Sequence, residues 1–356
     1  MAARRKLGIG VAVVAVVGGI ASLLPPVQAR VKAIAVLADA LGASFPRPFA
    51  ADVSRSAVNL SGVEGDLYDP GVRAPVVILI PGAAEKGRDD PRVVRLARAI
   101  ARAERVVFVP ELILYEKRLE EDDIDAIVAS AQDLGRDYGS VSLLGISYGG
   151  SLGLLAAADE RLDGRLEQVA TFGAYFDLVG VIQAVTTGVS LVGDQRVPYD
   201  TVPRAEEILF EIAIELAPER ARPFLRDALR GDLPPRRLPE PARAVYRFLT
   251  NEDPERTYEL SRELPQRMRD LLERFSPSSV ADEVDAPVVA MHSRDDPAVP
   301  YGEALRLERG LDDVRLVTVT IFRHVDLNEG EIEWQSAIGD MIDAWRFTSW
   351  FLSAQE

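Results

Sequence analysis

The sequence predicts an α/β protein with a mostly parallel central sheet flanked by helices, a helical cap insertion and an N-terminal hydrophobic helix. Three observations carry this. Apolar runs at 75–80 and 106–110 and a mostly apolar run at 141–144 alternate with helical segments, the rhythm of a parallel sheet covered on both faces. The rhythm stops after about Val181 and resumes at Ala286–Met291, so a helical insertion separates two parts of one sheet. The run ending at Leu144 leads into a serine with glycine two residues away on each side, followed by an alanine-rich helix.

In chain order, Arg4-Arg5-Lys6 precedes an uncharged stretch, Leu7 to Ala29, apolar through Leu24 and broken by Pro25-Pro26. A basic patch before an apolar run is an export signal. About 18 apolar residues just span a bilayer, which favours an uncleaved anchor. Val27-Gln28-Ala29 is a small-residue cleavage site, which favours a removed signal peptide. Either way the remaining chain is delivered outside the cytoplasm. Residues 30–55 read as an amphipathic helix, with Val31, Ile34, Leu37, Ala38 and Leu41 on one face, and a linker at Phe45-Pro46-Arg47-Pro48.

Residues 56–180 read as the first part of the core. Val63–Tyr68 alternates and breaks at Asp69-Pro70-Gly71, an edge hairpin. Val76–Ile80 runs into the small-residue loop Pro81–Gly87. Asp90-Pro91 is an N-cap with proline at the first helical position, opening a helix to about Arg105. Val106–Pro110 is the next strand, and Asp122 or Asp123 caps a helix to about Leu134. Residues 181–283 read as the cap, helical and charged, with segments Arg204–Leu216 and Glu255–Phe275 broken at Pro265. Residues 284–356 complete the core with strands at 286–291 and 314–322 and a closing helix through Trp334 and Trp345.

Composition narrows the chemistry. A net charge of −15 over 356 residues excludes a nucleic-acid surface, which needs a basic face. The absence of cysteine excludes disulfides, thiolate metal sites and a cysteine nucleophile. Two histidines, His292 and His324, do not make a histidine-rich metal site, and no cofactor is called for.

The stretch Gly145-Ile146-Ser147-Tyr148-Gly149-Gly150 carries the chemistry. Glycines at the flanking positions permit a sharp strand-to-helix turn that pushes the Ser147 hydroxyl out of the sheet. The Tyr148 amide opens the helix, where free N–H groups favour a developing negative charge. A second donor is expected from the loop after the 76–80 strand, at Ala83 beside Gly82. A serine hydroxyl needs a base titrating near neutral pH, and the base needs a carboxylate to hold its tautomer. Asp295 or Asp296, then His324, follow predicted strand ends on the same edge of the sheet. His292 ends the strand that supplies the acid and reads as structural.

With these motifs the sequence resembles the α/β-hydrolase superfamily, in which the chain order is serine, acid, histidine. The likeness covers Val58 to the C-terminus, with the insertion as a variable cap. In that superfamily the acid turn commonly reads G-x-x-D-x-x-V-P. Ser293-Arg294-Asp295-Asp296-Pro297-Ala298-Val299-Pro300 matches it with serine for the glycine, which selects Asp296. The flavour is similar to the dienelactone-hydrolase-like and acyl-esterase branches. The chain departs from the first in having a serine nucleophile, and from the common His-Gly oxyanion motif in having Pro81-Gly82. The resemblance implies a serine hydrolase of carboxylic esters, with Ser147, Asp296 and His324 as triad, Tyr148 and Ala83 as oxyanion donors, and a small acyl ester as substrate. The same triad serves amide, peptide, thioester and lipid ester cleavage. A non-catalytic, membrane-anchored binding protein on this scaffold is the third reading, opposed by the complete set of three residues.

Overall fold

The computed structural model describes residues 27–40, 52–82, 86–113, 120–139, 141–200, 203–320, 322–323, 326–327 and 334–353. The export segment at 7–24 and the linker at 45–48 lie outside the described residues. Among the described residues no helix is long and apolar enough to cross a membrane.

The strands are β1 (Ser54–Leu60), β2 (Val63–Asp69), β3 (Val76–Ile80), β4 (Val106–Pro110), β5 (Val141–Ile146), β6 (Leu166–Phe172), β7 (Val189–Val192), β8 (Gln195–Pro198), β9 (Val288–Ser293) and β10 (Val314–Val319), with a two-residue pair β11 (Phe322–Arg323) and β12 (Asp326–Leu327). Eight of them form one sheet in the order β1-β2-β4-β3-β5-β6-β9-β10. β1 and β2 form an edge hairpin, but its turn is Ser61-Gly62 and not the expected Asp69-Pro70-Gly71, after which the chain crosses to β3; β2 meets β4 antiparallel. All remaining pairings are parallel. β3, β4 and β9 are buried along their whole length, as strands covered on both faces must be.

The chain divides into two compact units. One comprises Met1–Ala174, Asp282–Arg294 and Asp312–Glu356; the other comprises Tyr175–Ala281 and Asp295–Leu311.

In the first unit, the helices Val27–Ala40, Pro91–Arg102 and Trp334–Ser353 share one apolar core with alternate residues of the strands, including Val77, Val107, Leu144, Ala170, Val289 and Val317. The helices Glu121–Tyr138 and Tyr148–Ala157 pack on each other and on β3 and β5. The N-terminal helix starts at Val27, directly after Pro25-Pro26, and buries Ala29, Ala33 and Val36. Ile34 and Leu37 of the expected face pack against the same core, partly buried beside these residues. Trp345 Nε1 donates to the Arg30 carbonyl at 3.1 Å, and Asp39 pairs with Arg102. The far end of the closing helix is capped by side chains from elsewhere. Arg105, 2 % exposed, donates to the Leu352 carbonyl at 2.6 Å, and Gln168 donates to the Phe351 carbonyl. These bonds satisfy terminal carbonyls that the helix leaves without intrahelical partners.

The Asp90 cap is as expected, its carboxylate accepting from Arg92 N at 2.9 Å. The cap expected at Asp122 or Asp123 is not. The helix begins two or three residues earlier, at Glu121 with Glu120 in the cap position, and Asp123 accepts from the Ile113 amide at 2.7 Å, tying the preceding loop to the helix.

In the second unit the helices include Leu178–Thr187, Pro203–Leu216, Ala242–Leu249, Thr257–Arg262, Gln266–Arg274 and Tyr301–Gly310. The break at Pro265 falls between two of them. One element differs from the all-helical expectation: β7 and β8 form an antiparallel hairpin, with Val192 paired to Gln195. Its two-residue turn is Gly193-Asp194, and Gly193 has φ +58, the conformation such turns require.

Candidate active site

The carboxyl ends of β5, β6 and β9 lie side by side, Ile146 paired with Phe172 and Phe172 with Met291. Ser147 leaves the end of β5 with φ 54 and ψ −129. Residues other than glycine occupy this region at a cost of about 1–3 kcal/mol and do so mostly at functional sites. Backbone bonds hold the turn in place: Ser147 N donates to the Phe172 carbonyl at 2.7 Å, and Gly150 N donates to the Ser147 carbonyl at 2.9 Å. Ser147 stands at the N-cap of the Tyr148–Ala157 helix, yet its hydroxyl makes no capping bond. An ordinary N-cap serine has extended backbone and turns its oxygen back onto the first helical amides. Here the backbone twist aims the side chain away from that task.

The glycines are there for close approach. A Cβ on Gly145 would lie 2.3 Å from the Gly150 Cα, and one on Gly149 would lie 2.3 Å from the Ile80 carbonyl oxygen. Gly82 completes the crowding, since a Cβ there would lie 2.9 Å from the Ser147 Cβ and 3.5 Å from its Oγ. The loop after β3 therefore passes directly over the serine. Pro81-Gly82, the departure from the His-Gly pattern, keeps the small residue where the contact is tightest. Ser147 is 7 % exposed. Tyr148, next to it, is half-buried, and loss of water pushes its phenol pKa up.

A mostly parallel sheet in this order, bearing a strained serine between its fifth strand and the helix that follows, decides the architecture. This is an α/β-hydrolase fold. No protein-family profile and no curated protein sequence matches the chain. Among solved structures it is similar to a hormone-sensitive lipase from a metagenome library, at 14% identity over 96% of this chain and 97% of that one, with a TM-score of 0.48. It is also similar to the dienelactone hydrolase of Anabaena variabilis, at 15% identity over 86% of this chain and 99% of that one, with a TM-score of 0.46. The meta-cleavage product hydrolase of Pseudomonas fluorescens gives 17% identity over 84% of this chain and 98% of that one, with a TM-score of 0.44.

The hydrolase fold brings Ser147, Tyr148 and Gly82 together. Ala83 and His324 lie outside the described residues. β11 and β12 pair antiparallel on either side of residues 324–325. Upstream of them, at the end of β10, Thr320 donates from both N, at 2.8 Å, and Oγ1, at 2.6 Å, to one oxygen of buried Asp340.

Asp296 lies in the second unit and is described within it. It is 3 % exposed, and its Oδ1 accepts from Ala298 N at 2.8 Å and Val299 N at 2.9 Å. Its neighbour Asp295 is exposed. A buried carboxylate with backbone donors is held in one orientation, whereas an exposed one is not. His292 is buried inside β9, opposite Thr318 of β10. Among the described residues, no group of three or more His, Cys, Asp or Glu is arranged to hold a metal ion.

Sequence reading missed a buried polar cluster in the second unit. Glu303 is fully buried, and its Oε2 accepts from Phe176 N at 3.1 Å and Asp177 N at 2.7 Å. Its Oε1 accepts from Arg306 at 2.6 Å. Arg306 also donates to Gln183 Oε1 at 3.0 Å and to the Leu191 carbonyl at 2.6 Å. Tyr258 donates to Asp177 Oδ2 at 2.6 Å. Burial pushes the Glu303 carboxyl up to about 7, against the opposing pull of Arg306. No spacing in the sequence distinguishes Glu303 from the surface acids around it.

Proposed function

We propose that this chain is a serine hydrolase that cleaves a carboxylic ester through an acyl-enzyme. The observation that carries the reading is Ser147: a non-glycine residue held at positive φ, at a helix N-terminus, with its hydroxyl withheld from the cap.

His324 takes the proton as Ser147 Oγ attacks the acyl carbonyl. The tetrahedral oxyanion is held by the Tyr148 amide, with the Ala83 amide as second donor. Collapse breaks the ester C–O bond, and the leaving alkoxide takes the proton from His324. Water then adds to the acyl-enzyme by the same path, releasing the carboxylic acid and restoring the serine. Asp296 keeps the imidazole in its working tautomer. Its Oδ1 is committed to the turn, so Oδ2 is the oxygen for the histidine N–H. No cofactor enters these steps. The basic patch and apolar run at the N-terminus place the enzyme outside the cytoplasm in this reading, either anchored in the membrane or secreted.

The test is covalent labelling with a fluorophosphonate probe, followed by peptide mapping. The expected result is one adduct at Ser147 in folded protein, and none in Ser147→Ala. Hydrolysis of p-nitrophenyl butyrate that survives Ser147→Ala unchanged defeats the reading.

A further inference from the structure

The peptide unit between Pro297 and Ala298 is gripped on both sides. Its N–H donates to Asp296 Oδ1 at 2.8 Å. Its carbonyl accepts the Tyr199 hydroxyl at 2.7 Å. A trans peptide is planar, with C=O and N–H pointing opposite ways, so fixing one end fixes the other. Tyr199 is itself well held. It is 8 % exposed, follows the end of β8, and donates its own N–H to the Gly188 carbonyl at 2.8 Å. The helix after the acid turn is anchored separately, by Glu303 on the amides of Phe176 and Asp177.

We infer that Tyr199 is a positioning residue for Asp296, setting the carboxylate's orientation through the single Pro297–Ala298 peptide. The inference rests on Asp296 being the acid of the proposed triad. Without the phenol oxygen the peptide plane loses one of its two restraints, and the Ala298 N–H, one of the two donors to Oδ1 beside Val299 N–H, is held less firmly. A loosened carboxylate supports the imidazolium less well. That support matters in the transition state rather than in ground-state binding, so the loss falls on kcat and not on KM.

The experiment is a double-mutant cycle on the full chain. The readouts are kcat and KM for p-nitrophenyl butyrate, normalised to sites titrated with a fluorophosphonate. Tyr199→Phe removes one oxygen and keeps the ring. It is expected to lower kcat per titrated site about fivefold, the worth of one net hydrogen bond, with KM within about twofold. In an Asp296→Asn background the same change is expected to have no further effect, because its route to the histidine is already broken. Three results overturn the inference. A kcat per site unchanged in Tyr199→Phe, even with a lowered melting temperature, leaves the tyrosine a purely structural role. An equal further loss in the Asp296→Asn background shows that it acts by another route. An Asp296→Asn variant with wild-type kcat defeats the triad reading itself, and this role with it.

Discussion

The Cα of Gly149 faces the carbonyl oxygen of Ile80 so closely that a Cβ there would lie 2.3 Å from it. The obstacle is backbone in the middle of a sheet, not the end of a flexible side chain. Gly149→Ala must therefore push β3 away from the helix or open the turn at Ser147. The expected cost is at the upper end of overpacking, about 3 kcal/mol, read as a lower urea midpoint at unchanged slope. Fluorophosphonate labelling of Ser147 is expected to fall with it even where the variant folds.

Ser147 has φ 54, a value glycine adopts without strain. Ser147→Gly is expected to lose all ester hydrolysis while keeping or raising stability, by up to about 1 kcal/mol once the greater chain entropy of glycine is set against the relieved strain. Ser147→Ala loses hydrolysis equally and keeps the strain. Thermal melts of the two variants side by side check this; a Gly variant clearly less stable than the Ala variant contradicts it.

Glu303 supplies a pH dependence of stability. Its carboxyl titrates at about 7 in the folded protein against an ordinary value of 4.5, burial being the main cause. Between those values the folded state holds a proton that the unfolded state has released. Stability from this group therefore falls as pH rises from 4.5 to about 7 and is level above that. The melting temperature of the wild type minus that of Glu303→Gln is expected to decline across this window and then stay constant. A difference that rises with pH, or one that is flat throughout, would refute the assignment.

Asp340 ties the end of β10 to the closing helix through both the amide and the hydroxyl of Thr320. Asp340→Ala leaves these two donors without their carboxylate and is expected to cost about 2 kcal/mol. Thr320→Val removes only one of the two bonds and is expected to cost less. Denaturant titrations of the two variants check the order.

The sheet was legible in the sequence because its signals are local. Apolar runs such as Val76–Ile80 and Val106–Pro110 can be buried on both faces only as inner strands, and the glycines around Ser147 announce the turn within six residues. The β7–β8 hairpin was less visible. Each strand has four residues, and its Gly193-Asp194 turn is a signal that the surrounding helices and charges obscure. The positioning contacts were not legible at all. Tyr199 meets the Pro297 carbonyl across 98 residues, and Glu303 meets the Phe176 amide across 127. No periodicity or spacing rule links positions so distant, so a buried glutamate in a charged helix looks like any solvated one. The turn pattern points to Asp296, which is buried, while its neighbour Asp295 is exposed, a difference in environment that the sequence does not display.

All three tryptophans of the chain, Trp334, Trp345 and Trp350, fall in the single helix Trp334–Ser353. Indole emission is thus an optical probe of that helix alone, with Trp345 reporting on its bond to the Arg30 carbonyl. The unit that carries Tyr199 and Asp296 is dark in this channel. Equilibrium unfolding followed by fluorescence and by far-ultraviolet circular dichroism consequently samples different territory, and midpoints that separate would identify which part melts first.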